Sequence, residues 1–409
     1  MDKKLSFFIV DDDPICIKLY SRTLEKGGHH ITAMSSAEKA IDEIKRVQPD
    51  CVLCDLILPT LDGLQFFQRL RAEKDLKQPI FIIITSKEYN YDYRRAFEMG
   101  VNGYLNKSLG YEAIIERVLQ IVNDEAVIQF WGVRGTLPVP GKHSLKYGGN
   151  TNCVSIEFPD NTFFIFDAGS GIKELARHIA KLQKAPFAAK IFITHPHWDH
   201  INGIPFFMPF YIQGNEFEIF GSNHHNMSFE KLISDQMNSV YFPVTMKEFA
   251  AKVTFRTLDE EEFSIGNIQI ETTFLNHPGR CLGYRVTYKG ISFCYITDTE
   301  LYLDSSQSYN EFDNQKLITF IKDADILVID STYSDEEYKT KIHWGHSCIS
   351  AVVKAAHTAG VRLMCLYHHD PDQFDTDIDN KLMTAEAELK KLQSTTRVIA
   401  PAEGDKLSL

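Results

Sequence analysis

Residues 1 to about 122 alternate short apolar runs with stretches of helical periodicity. The apolar runs fall at 5–10, 30–34, 51–56, 80–85 and 103–106. After the second run, Ser35-Ser36-Ala37-Glu38 reads as an S-x-x-E capping box, and Ala37, Ile41, Ile44 and Val47 then recur on one helical face. Five strand–helix repeats predict a parallel α/β sheet covered by helices on both sides. A last helical stretch at 111–122 is followed within four residues by a new strand at 127–133. From there the pattern changes. Short strands are predicted at 153–158, 162–166, 190–194, 216–220, 252–258, 267–275, 282–288, 291–296 and 326–329, with helical periodicity at 171–182 and 347–359. Many strands with few helices predict a second, layered domain. The boundaries read as 1–123 and 127–409.

In doubly wound sheets the working residues collect at the carboxyl ends of the strands. That rule selects Asp11, Asp12 and Asp13, then Asp55, Thr85 and Lys107. Carboxylates with one hydroxyl and one ammonium suit a hard divalent cation and a phosphoryl group. The phrases FIVDDDP, CVLCDLILPTLDGLQFF, ITS and GYLNKS resemble the receiver domain of two-component response regulators over residues 4–122. The resemblance implies a flavodoxin-like (βα)5 fold with Asp55 as phospho-acceptor. It implies Mg²⁺ held by Asp12, Asp55 and the Ile57 carbonyl, with Asp11 acting through water. Thr85 and Lys107 would grip the phosphoryl group, Tyr104 would be the rotating aromatic, and a sensor histidine kinase would be the partner. Ser108 stands where the family usually has proline.

The densest chemistry of the second region is Thr194-His195-Pro196-His197-Trp198-Asp199-His200, directly after a predicted strand. So many imidazoles and carboxylates in one short segment need a shared partner, and they suit zinc, manganese or iron without sulfur. Later polar groups follow apolar strands in the same way: His277 in LNHPGR, Asp298 in YITDTE, His346 in WGHS, and His368 with His369 in LYHHDP. This order resembles the metallo-β-lactamase fold superfamily of metal-dependent hydrolases over residues 127–405. It is most similar to the phosphodiesterase-like branch that includes ribonuclease Z, through GHS before the final histidine and the opening phrases FWGVRG, YGGNTN and FDAGSG.

The resemblance implies an αββα sandwich with two divalent transition metals at one edge, zinc first, with manganese or iron as alternatives. His195, His197 and His277 would hold one metal, Asp199, His200 and His368 the other, and Asp298 would bridge them. His368 is chosen over His369 because it directly follows the strand. Asp167 would orient the histidine loop. Two such cations, about 3.5–4 Å apart, lower the pKa of a water between them. Asp199 would both ligate and orient that nucleophile. His346 is not needed as a ligand and is free to protonate a leaving alkoxide. His343 reads as an incidental neighbour. Asn276 and Arg280 flank the third histidine as phosphoryl contacts or solvated surface. His357 and His224-His225 read as structural or solvated, and the aromatic stretch 206–211 as core in preference to a substrate wall.

Composition narrows the substrate. Acidic residues exceed basic ones, 55 to 43, for a net charge of −12. Polyanions are bound mainly through Lys and Arg on phosphates, so duplex nucleic acid and long RNA are disfavoured. A cyclic nucleotide or other small phosphodiester fits better. No stretch has the apolar length of a signal peptide or a membrane helix, and the chain reads as cytoplasmic. Cys51 and Cys54 form a C-x-x-C on a strand, where positions i and i+3 point to opposite faces, so neither redox nor zinc chemistry is assigned to them. The expected function is a two-component response regulator whose output is a phosphodiesterase controlled at Asp55, acting directly or through homodimerisation. The alternatives are an ester, thioester or lactone hydrolase, and a di-iron oxygen or small-ligand sensing module. The H-x-H-x-D-H pattern favours hydrolysis over oxygen chemistry.

Overall fold

The computed structural model describes residues 4–86, 90–181, 186–224, 226–303, 306 and 308–409. The chain divides into two compact units. One comprises Met1–Ala126 with Phe158–Thr162 and His178–Pro186, the other Val127–Glu157, Phe163–Arg177 and Phe187–Leu409. His225, and residue 182 at the end of one predicted helix, lie outside the described residues.

The first unit is built on β1 (Ser6–Val10), β2 (His30–Met34), β3 (Cys51–Asp55), β4 (Ile80–Thr85) and β5 (Gly103–Asn106), ordered β2-β1-β3-β4-β5 and all parallel. Alternate side chains of these strands feed two cores. Phe8, Val10, Val52, Cys54, Phe81 and Ile83 pack with the helices Ala37–Val47 and Gly63–Ala72. Phe7, Ile9, Cys51, Leu53, Ile82 and Ile84 pack with Pro14–Lys26 and Tyr111–Asn123. Cys51 and Cys54 thus occupy opposite faces, both buried, and burial raises both thiols well above their ordinary range. The strand order reverses between β1 and β3, which opens a crevice at their carboxyl ends. One local expectation fails. The helix at 37–47 is capped by Ser36, which makes no side-chain capping bond. Glu38 therefore sits one place too early to answer it, and the predicted capping box does not form.

The second unit continues with β6 (Val127–Gly132), β7 (Cys153–Glu157), β8 (Phe163–Phe166), β9 (Ala188–Phe192), β10 (Glu216–Gly221), β11 (Lys252–Thr257), β12 (Glu262–Ile265), β13 (Ile268–Leu275), β14 (Cys281–Tyr288), β15 (Ile291–Ile296), β16 (Ile326–Asp330), β17 (Leu363–Tyr367), β18 (Arg397–Ile399) and β19 (Lys406–Ser408). Among the described residues these form two seven-stranded sheets, β11-β10-β9-β8-β7-β6-β19 and β12-β13-β14-β15-β16-β17-β18. Their inner faces meet through aromatic rings, with Phe166 5.4 Å from both Phe293 and Tyr295 and Phe192 5.4 Å from Tyr284. The outer face of the second sheet (Cys294, Ile296, Leu327, Ile329, Met364 and Leu366) is covered by the helices Glu311–Phe320, Ile349–Thr358 and Asp375–Lys391. The last of these escapes the periodicity reading because its buried stripe, Ile378, Lys381, Ala385 and Leu389, contains a lysine. β12, β18 and β19 are short edge strands, defined by their neighbours more than by their own pattern. β9 ends at Phe192, two residues short of the prediction.

Candidate active site and receiver centre

The direction of the strands brings the donors together. β8 and β9 run parallel in one sheet, and β15, β16 and β17 run parallel in the other. β13 is antiparallel to β14, itself antiparallel to β15, so β13 points the same way as β15. Asp167 follows β8, the His195–His200 segment follows β9, His277 follows β13, Asp298 follows β15, Asp330 ends β16 and His368 follows β17. Asp167, Asp298 and His368 all take left-handed backbone angles, with φ of 57°, 51° and 60°, uncommon for non-glycine residues and concentrated at functional sites.

Among the described residues three candidate donor groups share Asp298; one of them joins it to Asp330, His346 and His368, and the other two divide its carboxylate. Of these two, His195, His197 and His277 lie with it in one; Asp199, His200 and His368 lie with it in the other. The carboxylate divides between them. Its Oδ2 is 3.5 Å from His195 Nε2 and 3.7 Å from His277 Nε2. Its Oδ1 is 3.2 Å from His200 Nε2 and 3.1 Å from His368 Nε2. The far sides of the rings are held by protein groups. His200 Nδ1 lies 2.7 Å from Asp167 Oδ2, His277 Nδ1 2.9 Å from the Gly345 carbonyl, and His368 Nδ1 3.0 Å from Thr332 Oγ1. Such partners fix the ring orientation of metal-binding histidines. Asp167 also accepts from the Thr194 amide at 2.8 Å and from Tyr295 OH at 3.1 Å, so it clamps the histidine segment from behind.

The residues fit a cation. His195 Nε2 is buried with no hydrogen-bond partner. Burial, reinforced by His200, pushes His195 well below its ordinary pKa, and burial with His277 takes His197 down to about 4. Both imidazoles are therefore neutral, with lone pairs available to a metal. Burial alone would raise Asp199 and Asp298, but the neighbouring histidines outweigh it and hold both carboxylates ionised. Asp199 Oδ2 further accepts from the Thr136 amide at 2.8 Å and from Asn152 Nδ2 at 3.3 Å.

His346 lies beside both groups, its ring 4.8 Å from that of His368 and 5.3 Å from that of His277. Its Nδ1 is 2.8 Å from Asp330 Oδ2. Burial opposes the imidazolium, but Asp330 outweighs it and raises His346 to about 9. Asp330 and Thr332 were not among the residues singled out from the sequence. Their only local signal is the position of Asp330 at the end of an apolar strand, the rule that selected Asp298. Thr332 Oγ1 donates to Asp330 Oδ1 at 2.8 Å, so one short loop holds both His346 and His368.

Other candidates fall elsewhere. His369 Nδ1 lies 2.9 Å from Lys381 Nζ, on the other side of the chain from His368. His343 is exposed and lies 3.0 Å from Tyr302 OH. Arg280 pairs with Asp259 and stacks over Phe274, while Asn276 donates to the Glu300 carbonyl. Phe207, Pro209 and Phe210 are buried, whereas Phe206 and Met208 are exposed, so the aromatic stretch is only partly core.

In the first unit, Asp11, Asp12 and Asp55 converge at the crevice. Lys107 Nζ reaches Asp11 Oδ2 at 2.8 Å and Asp55 Oδ2 at 2.6 Å. Burial works against the ammonium, but these two carboxylates more than offset it and raise its pKa. Ile57 donates its amide to Asp55 Oδ1 at 3.1 Å. Thr85 is buried at the end of β4. Tyr104 is half-buried, its ring 5.6 Å from Tyr93, with a hydroxyl that is buried and unpartnered. Ser108 gives its amide to Asn106 Oδ1 at 2.8 Å, a bond that proline could not make.

Comparison with known proteins finds two families along the chain. The response regulator receiver domain matches residues 7–119, and the beta-lactamase superfamily domain matches residues 162–369. The alkaline phosphatase synthesis transcriptional regulatory protein PhoP of Bacillus subtilis is 30% identical over 122 residues, 30% of this chain and 49% of PhoP. The chain thus spans about half the length of that relative. Ribonuclease Z of Lactococcus lactis is 25% identical over 295 residues, 59% of this chain and 88% of that protein. The metallo-beta-lactamase fold protein YhfI from Bacillus subtilis has the same fold, with a TM-score of 0.50, 17% identity, and coverage of 70% of this chain and all of YhfI. The chain belongs to the beta-lactamase superfamily through residues 162–369, and carries a response regulator receiver domain at residues 7–119.

Proposed function

We propose that this chain is a response regulator with a receiver domain at 1–123 and, at 127–409, a dinuclear metal-dependent hydrolase of small phosphodiesters controlled by phosphorylation of Asp55. The observation that carries the reading is the division of Asp298, one oxygen facing each donor group, with the His346–Asp330 pair alongside. The similarity to ribonuclease Z supports phosphodiester chemistry over carbonyl chemistry, and the acid excess supports a small substrate.

Two divalent cations, when bound, would supply Lewis acidity and lower the pKa of a water. His195, His197 and His277 would hold one, Asp199, His200 and His368 the other, with Asp298 between them. Asp199, fixed by the Thr136 amide and Asn152, orients the attacking water. His346 carries its proton at neutral pH because Asp330 stabilises the imidazolium, and it delivers that proton from Nε2 to the leaving alkoxide. In the receiver, a phosphoryl group on Asp55 draws Lys107 away from its present pairing and engages Thr85.

The test is turnover of bis-p-nitrophenyl phosphate against p-nitrophenyl acetate by metal-loaded protein and by Asp298→Ala. Phosphodiester turnover that the variant loses supports the reading. Turnover of the acetate alone would replace it with an ester hydrolase.

A further inference from the structure

The chain has three tryptophans. Trp131 is buried, with its Nε1–H donating to Ser155 Oγ at 2.8 Å. The other two are 78% and 60% exposed, and both border the donor cluster: Trp198 between His197 and Asp199, Trp344 two residues before His346. Large apolar rings left in water call for an explanation when they cluster at a site.

The backbone brings the segments that carry these two residues to one place. His197 Nδ1 lies 3.3 Å from His277 Nε2, and His277 Nδ1 lies 2.9 Å from the carbonyl of Gly345, the residue after Trp344. Gly345 has φ of +85°, and a Cβ there would come within 2.5 Å of His277, so the chain passes Trp344 hard against the histidine cluster with no side chain between. Trp198 follows His197 and Trp344 precedes Gly345, so both tryptophans are carried on segments that meet at the His197–His277 contact. Lys341 Nζ sits 5.5 Å from the Trp344 ring and 4.6 Å from the Tyr333 ring while paired with Asp370 at 3.1 Å. That cation–π contact steadies the Trp344 side of the rim.

We propose that Trp198 and Trp344 form a stacking platform for the nucleobase of the substrate, making the preferred phosphodiester a nucleotide. This rests on the hydrolase reading for the position of the phosphoryl group, but not on turnover. An indole face stacks on any base and gives affinity without sequence readout. The acid excess of the chain leaves base stacking, more than backbone charge, to hold a nucleotide.

The experiment uses the full metal-loaded chain and two probes, adenosine monophosphate and ribose 5-phosphate, which share a phosphate and differ in the base. Calorimetric affinities give their ratio for wild type, Trp198→Ala, Trp344→Ala and the two phenylalanine variants. Wild type should favour the nucleotide, each alanine variant should cut the ratio about 5- to 100-fold, and phenylalanine should restore most of it. Adenosine monophosphate, unlike ribose 5-phosphate, should also quench the intrinsic tryptophan fluorescence. Equal affinity of wild type for both probes, absence of nucleotide binding, or an equal loss of both in the alanine variants would overturn the platform. A change in sedimentation of the alanine variants with an unchanged ratio would do the same and assign the rings to self-association. If the ratio behaves as expected while bis-p-nitrophenyl phosphate is not hydrolysed, the hydrolase reading falls and the platform stands.

Discussion

Asp330 and His346 pair at 2.8 Å between Oδ2 and Nδ1, although sixteen positions separate them in sequence. The other oxygen of Asp330 is occupied by the amide and hydroxyl of Thr332, at 3.0 and 2.8 Å. Oδ2 also accepts from the Thr299 amide at 3.2 Å, so the carboxylate is held in place from both sides where it orients and charges the imidazole. His346→Ala should keep its metal and lose about 10²–10⁴-fold in rate on substrates with poor leaving groups, with much less effect on good ones. An equal loss on both substrate types would remove His346 from the acid role. Asp330→Asn should move the alkaline limb of the rate profile to lower pH. Under the proposed acid role the active form is protonated His346, whose activity would be lost as pH rises through its pKa, and Asp330 is what raises that pKa.

Metal content tests the sharing of Asp298. Purified protein should carry close to two transition-metal ions per chain, and Asp298→Ala should lose both together, whereas His277→Ala should mainly weaken one group. A second variant acts from outside the ligand set. A Cβ at Gly135 would lie 2.2 Å from the His368 ring, so Gly135→Ala should displace His368 and deplete the Asp199–His200–His368 group. Elemental analysis reads all three. Only trace metal in wild type grown on metal-replete medium would sink the dinuclear arrangement.

Lys381 gives a stability signature. Its ammonium position is buried against the carbonyls of Ser331 and Thr332 and Nδ1 of His369. Burial pushes it down to about 7; Glu337, Asp330 and Asp370 oppose the shift and Arg134 adds to it. An unfolded lysine keeps its proton to about pH 10.4. Between those values the unfolded chain binds more protons, so unfolding free energy rises with pH, by at most about 1.4 kcal/mol per pH unit. Urea titrations from about pH 7 to about pH 10 should show this slope in wild type and its loss in Lys381→Met. Parallel slopes would mean that the buried amine does not titrate there.

Control by the receiver is tested with beryllofluoride. Lys107 already bridges Asp11 and Asp55, and a phosphoryl mimic on Asp55 should redistribute that pairing toward Thr85 and turn Tyr104. Coupling of this kind is typically worth ~1–3 kcal/mol, about 5–150-fold in binding. Hydrolase turnover or sedimentation should change with the mimic in wild type and not in Asp55→Ala. No change in either measurement, with the mimic shown to be bound, would separate the receiver from the hydrolase.

The sequence by itself determined the two domains and most of the donors. Period-2 and period-3.6 patterns reveal strands and helices, and chemistry placed just after a strand stays at that strand's end however the sheet is assembled. Asp55, the His195–His200 segment, Asp298 and Lys107 were legible for that reason. What only the tertiary structure decided depends on contacts between distant segments. His368 and His369 are adjacent and chemically identical. The backbone of His369 bonds to Val133 and Gly135, and the left-handed turn at His368 sends its ring to Asp298 while that of His369 goes to Lys381. Asp330 found His346, and the two oxygens of Asp298 separated into two roles, only when parallel β15, β16 and β17 set their ends side by side. The lysine within the helix Asp375–Lys391 hid that element from a pattern reading, because its burial is satisfied by a loop some fifty residues away in the chain. Local spacing carries periodicity and chemistry; partner choice resides in the register between strands, which no short window of sequence contains.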